Sequence, residues 1–149
     1  MYIGQVAELL KKHEGLCLKP YRCTAGKLTI GYGRNIEDNG ISQTEAEQML
    51  YNDIQTCYGE CSKFGFWNKL NEARQAALID MCFNLGISRL KQFKKMLAAV
   101  DKGDYKTASK EMLDSNWARQ VKSRSTELAQ IMEKGELLWR VEKVKNANK

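Results

Sequence analysis

A glutamate, a cysteine and a threonine, Glu14, Cys23 and Thr29, stand nine and six positions apart in the stretch EGLCLKPYRCTAGKLTIGYG, residues 14–33. A carboxyl group that keeps its proton near neutral pH can deliver it to a leaving group. A hydroxyl both donates and accepts, so Thr29 can orient a water molecule without adding charge. The thiol is less decided: at an unperturbed pKa of about 8.5 it is mostly neutral at pH 7 and weak as a base. The same three residues also fit a solvated helix-end glutamate, a packing cysteine and a strand-forming threonine. The elements that carry them must separate the two readings.

Ile3, Val6, Leu9 and Leu10 recur at helical spacing, and Gly15 is a stop signal, so a first helix ends at or beside Glu14. An acid at that place is expected to face the negative end of the helix dipole and to be partly buried in a cleft, and either would favour its protonated form. Two short segments, 17–23 and 27–32, flank TAG and read as a hairpin. A three-residue loop puts Gly26 in the left-handed position of a bulged turn. That register pairs Cys23 with Lys27 and Tyr21 with Thr29, so Cys23 and Thr29 share a face. A two-residue turn would put them on opposite faces.

Downstream the pattern is helical. SQTE (42–45) has the form of a capping box, opening a helix of about 20 residues, on the order of 30 Å, with Ala46, Met49, Leu50, Ile54, Cys57, Tyr58 and Cys61 on one stripe. NEARQAALIDMCFNLG (71–86) is apolar nearly all round and predicts a central helix. Further helices are expected over 88–102, with Leu90, Phe93, Met96, Leu97 and Val100 inward, over about 105–114, and within 125–142. Disorder is expected only at the tail, VKNANK. The fold class is α+β, mostly helical: a small hairpin lobe and a larger helical lobe.

At 149 residues and 17.0 kDa the chain suits one folding unit and needs no disulfide or metal for stability. Five cysteines, at 17, 23, 57, 61 and 82, are an odd number, and no CxxC pair accompanies the single histidine, His13, so no metal site is expected. Cys17, Cys57, Cys61 and Cys82 read as reduced packing residues. Lysine and arginine outnumber acids by six, and the pI is about 9.1, which suits an anionic partner. The cations are scattered, without a nucleic-acid motif. No apolar run approaches a membrane span, and the N-terminus reads as an amphipathic helix, not a signal peptide, so the chain reads as made in the cytosol.

The stretch 14–33 resembles the active-site signature of the phage-type lysozymes, the T-even endolysin and muramidase family. Glu14, Gly15, Leu16, Leu18, Lys19, Tyr21, Thr29, Ile30, Gly31 and Gly33 match its pattern in register. RQAALIDMCFNLG (74–86) resembles the family's central helix, SNWARQVKSR (115–124) its Trp-containing turn with a downstream arginine, and TEAEQMLYNDI (44–54) the start of its inter-lobe helix. The resemblance implies one lysozyme-like domain in two lobes: a trimmed β lobe at about 14–42, a connecting helix at about 43–62, and a helical lobe from 1–13 and 63–149.

It also implies roles. Glu14 would be the general acid that protonates the glycosidic oxygen between N-acetylmuramic acid and N-acetylglucosamine, and Thr29 would hold the attacking water. Gly31 and Gly33 would let the polysaccharide lie close to the backbone, or serve the backbone's conformation alone. Arg124 would pair with the acid, and Phe83 would line the cleft or belong to the core. Cys23 is the departure, since the family has an aspartate there. Three readings stay open for it: orienting the water with Thr29, covalent nucleophile, or catalytically silent.

The function expected is an endolysin acting on peptidoglycan as a monomer without metal or organic cofactor. It would be made in the host bacterial cytoplasm and reach the wall after export or membrane permeabilisation. A non-catalytic wall-binding domain is the alternative, and a thiol enzyme pairing Cys23 with His13 the remote one.

Overall fold

The structure is a computed structural model describing residues 2–137, and the chain divides between residues 49 and 50 into two compact units. In the first, helix α1 (Ile3–Glu14) ends where expected, the Gly15 amide donating to the Lys11 carbonyl. Lys11, Lys12 and His13 crowd its last turn, where positive charge complements the dipole. Three antiparallel strands follow in the order β1 (Cys17–Arg22), β2 (Leu28–Gly31) and β3 (Arg34–Asn35).

The hairpin has the expected register. Tyr21 faces Thr29 and Arg22 faces Leu28, and the Cys23 amide donates to the Lys27 carbonyl at 3.0 Å. Gly26, at φ 79°, turns the three-residue loop in a conformation that other residues rarely adopt. Farther along, β1 advances four positions from Cys17 to Tyr21 while β2 advances two from Thr29 to Gly31. Pro20, which has no N–H to give a ladder, lies inside that irregularity.

A short helix, α2 (Ile36–Asn39), leads to α3 (Gln43–Cys61), whose start is the capping box read from the sequence. The Glu45 amide donates to Ser42 Oγ at 3.1 Å, and the Ser42 amide donates back to Glu45 Oε1 at 2.9 Å. The same carboxylate receives both terminal nitrogens of Arg34, at 2.9 and 2.7 Å, so the N-terminus of α3 is tied to β3. This geometry is the two-pronged match of guanidinium to carboxylate.

The second unit holds α4 (Glu72–Leu85), α5 (Ile87–Leu90), α6 (Lys94–Asp101), α7 (Tyr105–Leu113), α8 (Asn116–Val121) and α9 (Ser123–Lys134). Helix α9 packs on α4, α7 and α8, around fully buried Leu78, Met81, Leu90, Met96, Met112 and Met132. Asn71 and Arg74 finish α9 from outside it: the Asn71 side chain donates to the Gly135 carbonyl at 2.9 Å, and Arg74 donates to the carbonyls of Met132 and Glu133.

Several expectations are corrected. The single helix expected over 88–102 is two, because the amides of Gln92 and Phe93 bond three residues back, to Arg89 and Leu90, and the tightened turn ends α5. Leu90, Met96 and Val100 are nonetheless buried. The Trp-containing turn is a short helix, α8, whose Ser115 side chain accepts from the Ala118 amide. Helix α1 buries none of its residues, and α3 buries only Cys57 and Cys61, so Ile3, Val6, Leu9, Met49, Leu50 and Tyr58 are exposed. Cys17 is exposed on edge strand β1 instead of packed. The part of the last helical region beyond residue 137, and the tail, lie outside the described residues.

The Arg34 guanidinium, followed by the Ser42 amide and hydroxyl, lowers the Glu45 pKa from 4.5 to about 2. A carboxylate lowered in this way stabilises the fold fully above its unfolded pKa and stops doing so as pH falls through the folded value. Thermal melts of the wild type and Glu45→Gln should therefore differ most at neutral pH. The difference should shrink as pH falls from about 4.5 towards about 2. A gap of constant size across that window would exclude this ion pair as its origin.

Candidate active site

Glu14 is the last residue of α1 and its side chain is exposed, while Cys23 and Thr29 come from the hairpin that follows. Thr29 is 3% exposed, the one described residue buried in the small sheet, and its hydroxyl donates to the Lys27 carbonyl at 2.9 Å. Because Tyr21 opposes Thr29, and Cys23 is two positions beyond Tyr21, the thiol and the hydroxyl share a face.

The environment of Cys23 favours the thiolate. The backbone N–H groups of Lys27 and then Ala25 pull its pKa below 9.0, partial burial opposes them, and the Thr29 hydroxyl and the residue's own amide add to the lowering. Hydrogen bonds to a charged form favour that form. The single hydrogen of the Thr29 hydroxyl goes to the Lys27 carbonyl. His13 is exposed and takes no part in setting the thiol.

The three buried thiols are of a different kind. Cys57, Cys61 and Cys82 lie in the second unit at 8%, 0% and 2% exposure, and burial pushes each pKa up to about 11. The Cys61 thiol donates weakly to the Leu78 carbonyl at 3.9 Å. Buried thiols of this kind are inert packing groups.

Gly31 and Gly33 differ from one another. A Cβ at Gly31 would meet open space, whereas one at Gly33 would lie 2.6 Å from Glu14 Oε2 and 2.8 Å from Cδ. The space beside Gly33 is thus occupied by the Glu14 carboxylate. In the second unit, Arg124 binds Asp80, with Nε and a terminal nitrogen each 2.7 Å from Oδ1, joining α9 to α4. Phe83 is 45% exposed, so of its two sequence readings the core one does not hold.

Sequence reasoning missed what the backbone contributes. The amides of Lys27 and Ala25 act on the thiol whatever side chains those residues carry, and only the loop length hinted at them. Nor did any spacing rule connect Asp80 with Arg124, 44 residues apart.

Iodoacetamide labelling followed across pH by mass spectrometry tests the thiol assignment. Cys23 should react with a midpoint below 9.0, while Cys57, Cys61 and Cys82 in folded protein stay unlabelled until well above it. Equal labelling of Cys23 and Cys82 at neutral pH would refute it.

The phage lysozyme family profile matches residues 11–132 of this chain. The pre-baseplate central spike protein Gp5 of Enterobacteria phage T4 is 32% identical over 161 residues, an alignment covering 89% of this chain. The chain spans only 28% of that protein's length. Probable T4-type lysozyme 2 of Dictyostelium discoideum is 26% identical, with 91% of this chain and 97% of that protein covered. The endolysin of Acyrthosiphon pisum secondary endosymbiont phage 1 is 31% identical, with 85% and 86% covered.

Proposed function

The chain belongs to the phage lysozyme family, and from that membership we propose that it is an N-acetylmuramidase. It hydrolyses the β-1,4 bond between N-acetylmuramic acid and N-acetylglucosamine in bacterial peptidoglycan. The observation that carries the reading is the face shared by Cys23 and Thr29 in a hairpin that directly follows Glu14. Glycoside hydrolysis needs one group to protonate the leaving oxygen and another to direct a nucleophile at the sugar.

Glu14 is the general acid, giving its proton to the glycosidic oxygen as the bond to the anomeric carbon breaks. Cys23, with Thr29, orients the water that attacks that carbon, and the water's proton passes to the thiolate or to solvent. A thiolate favoured by backbone amides supports this role for Cys23 in place of a carboxylate. The open face at Gly31 leaves room for the sugar chain to approach the backbone. In the second unit, Phe83 is exposed and Arg124 is held by Asp80. The net charge of +6 suits a wall polymer bearing acidic groups.

The biological setting we propose is lysis of the host wall by an endolysin, reached after export or permeabilisation of the membrane. Among the described residues no helix is long and apolar enough to cross a membrane. A specific observation favours a second reading: with a thiol where the family carries aspartate, the domain binds peptidoglycan without cleaving it.

Clearing of outer-membrane-permeabilised cells, with analysis of new reducing ends, separates the two. Wild type should clear them and release reducing N-acetylmuramic acid ends, and Glu14→Gln should lose at least about 100-fold in rate, the scale of a missing general acid. Equal clearing by both proteins would sink the muramidase reading, and wall binding without new ends would establish the second. Cys23→Ala should slow clearing, whereas a full rate in that variant would make the thiol silent.

A further inference from the structure

We propose that Gly33 is a positioning residue for Glu14, and that the turn between β2 and β3 is the seat that sets where the acid's carboxyl group lies. This deepens the muramidase reading and rests on it. The seat is defined by what Gly33 lacks. Its φ of 75° directs the missing Cβ at the carboxylate, 2.6 Å from Oε2, 2.8 Å from Cδ and 3.1 Å from Cγ. No side chain beyond a hydrogen fits between the turn and the acid.

The turn is held from both sides. Ile30 opposes Arg34 across it, and Arg34 is bound by Glu45 and donates to the Gly40 carbonyl at 3.3 Å. On the α1 side, the Lys11 ammonium lies 5.7 Å from the centre of the Tyr32 ring, a second contact between the last helical turn and residues 31–33. An anchored turn does not yield to an added methyl group, and the end of a glutamate side chain does. Substitution at Gly33 therefore moves the acid and leaves the fold standing.

Strain alone would also follow from placing a side chain at positive φ, so the control must share it. Gly103, in the second unit, has the same φ of 75° and open space where its Cβ would be, which gives Gly103→Ala backbone strain without a carboxylate to displace. With a soluble peptidoglycan oligomer, Gly33→Ala should lose roughly 10- to 100-fold in kcat, the scale of displacing a reacting group by about 1 Å, with KM little changed. Gly103→Ala, compared at equal folded fraction, should stay within about twofold of wild type. The ¹³C resonance of the Glu14 carboxyl, assigned by its absence in Glu14→Gln, should shift in Gly33→Ala and not in Gly103→Ala.

Gly33→Asn, which tolerates left-handed backbone better, supplies the same Cβ and decides the matter if the alanine variant does not fold. Equal losses in the Gly33 and Gly103 variants, or an unmoved Glu14 resonance, would overturn the proposal. A Glu14→Gln enzyme with full activity would instead remove the reading beneath it, while the resonance shift would still report the seat.

Discussion

The carboxylate of Glu45 is the point through which the first unit is organised. It accepts from the Ser42 amide, which starts α3, and from two nitrogens of Arg34, which fix β3. Arg34 in turn closes the turn that carries Gly33. One acidic side chain thus connects a helix start, a strand and the backbone against which Glu14 rests. Charge-assisted contacts are stronger and more directional than neutral ones. That matters in a unit whose sheet buries a single described residue and so gains little from apolar burial.

Surroundings, not residue type, divide the cysteines. Cys57, Cys61 and Cys82 sit in an apolar core, where a thiolate would go unsolvated. Cys23 sits at a hairpin end, where strand pairing has finished and the amides of the loop are free to meet a sulfur. Such amides favour the thiolate over the neutral thiol.

Much of the first unit was legible from residue order alone. The capping box, the end of α1 and the three-residue loop are local, each depending on contacts within a few positions, and all stand as expected. The phage lysozyme signature belongs to the same short range, and the wider family match agrees with it. Apolar periodicity was less informative. It marked α1 and α3 as amphipathic but did not say which stripes would be covered, and it read one helix where α5 and α6 are separated by a tight turn.

Spacing by itself determined that Cys23 and Thr29 share a face, because side chains alternate along a strand and the loop length sets the register. It also determined that Glu14 ends a helix, since the glycine after it stops the repeat. Only the tertiary structure decided that the Glu14 carboxyl rests on Gly33, that Asp80 holds Arg124, and that Phe83 faces outward. Those outcomes depend on where separate elements meet. The packing of whole elements sets that meeting, and no pairwise rule of spacing encodes it.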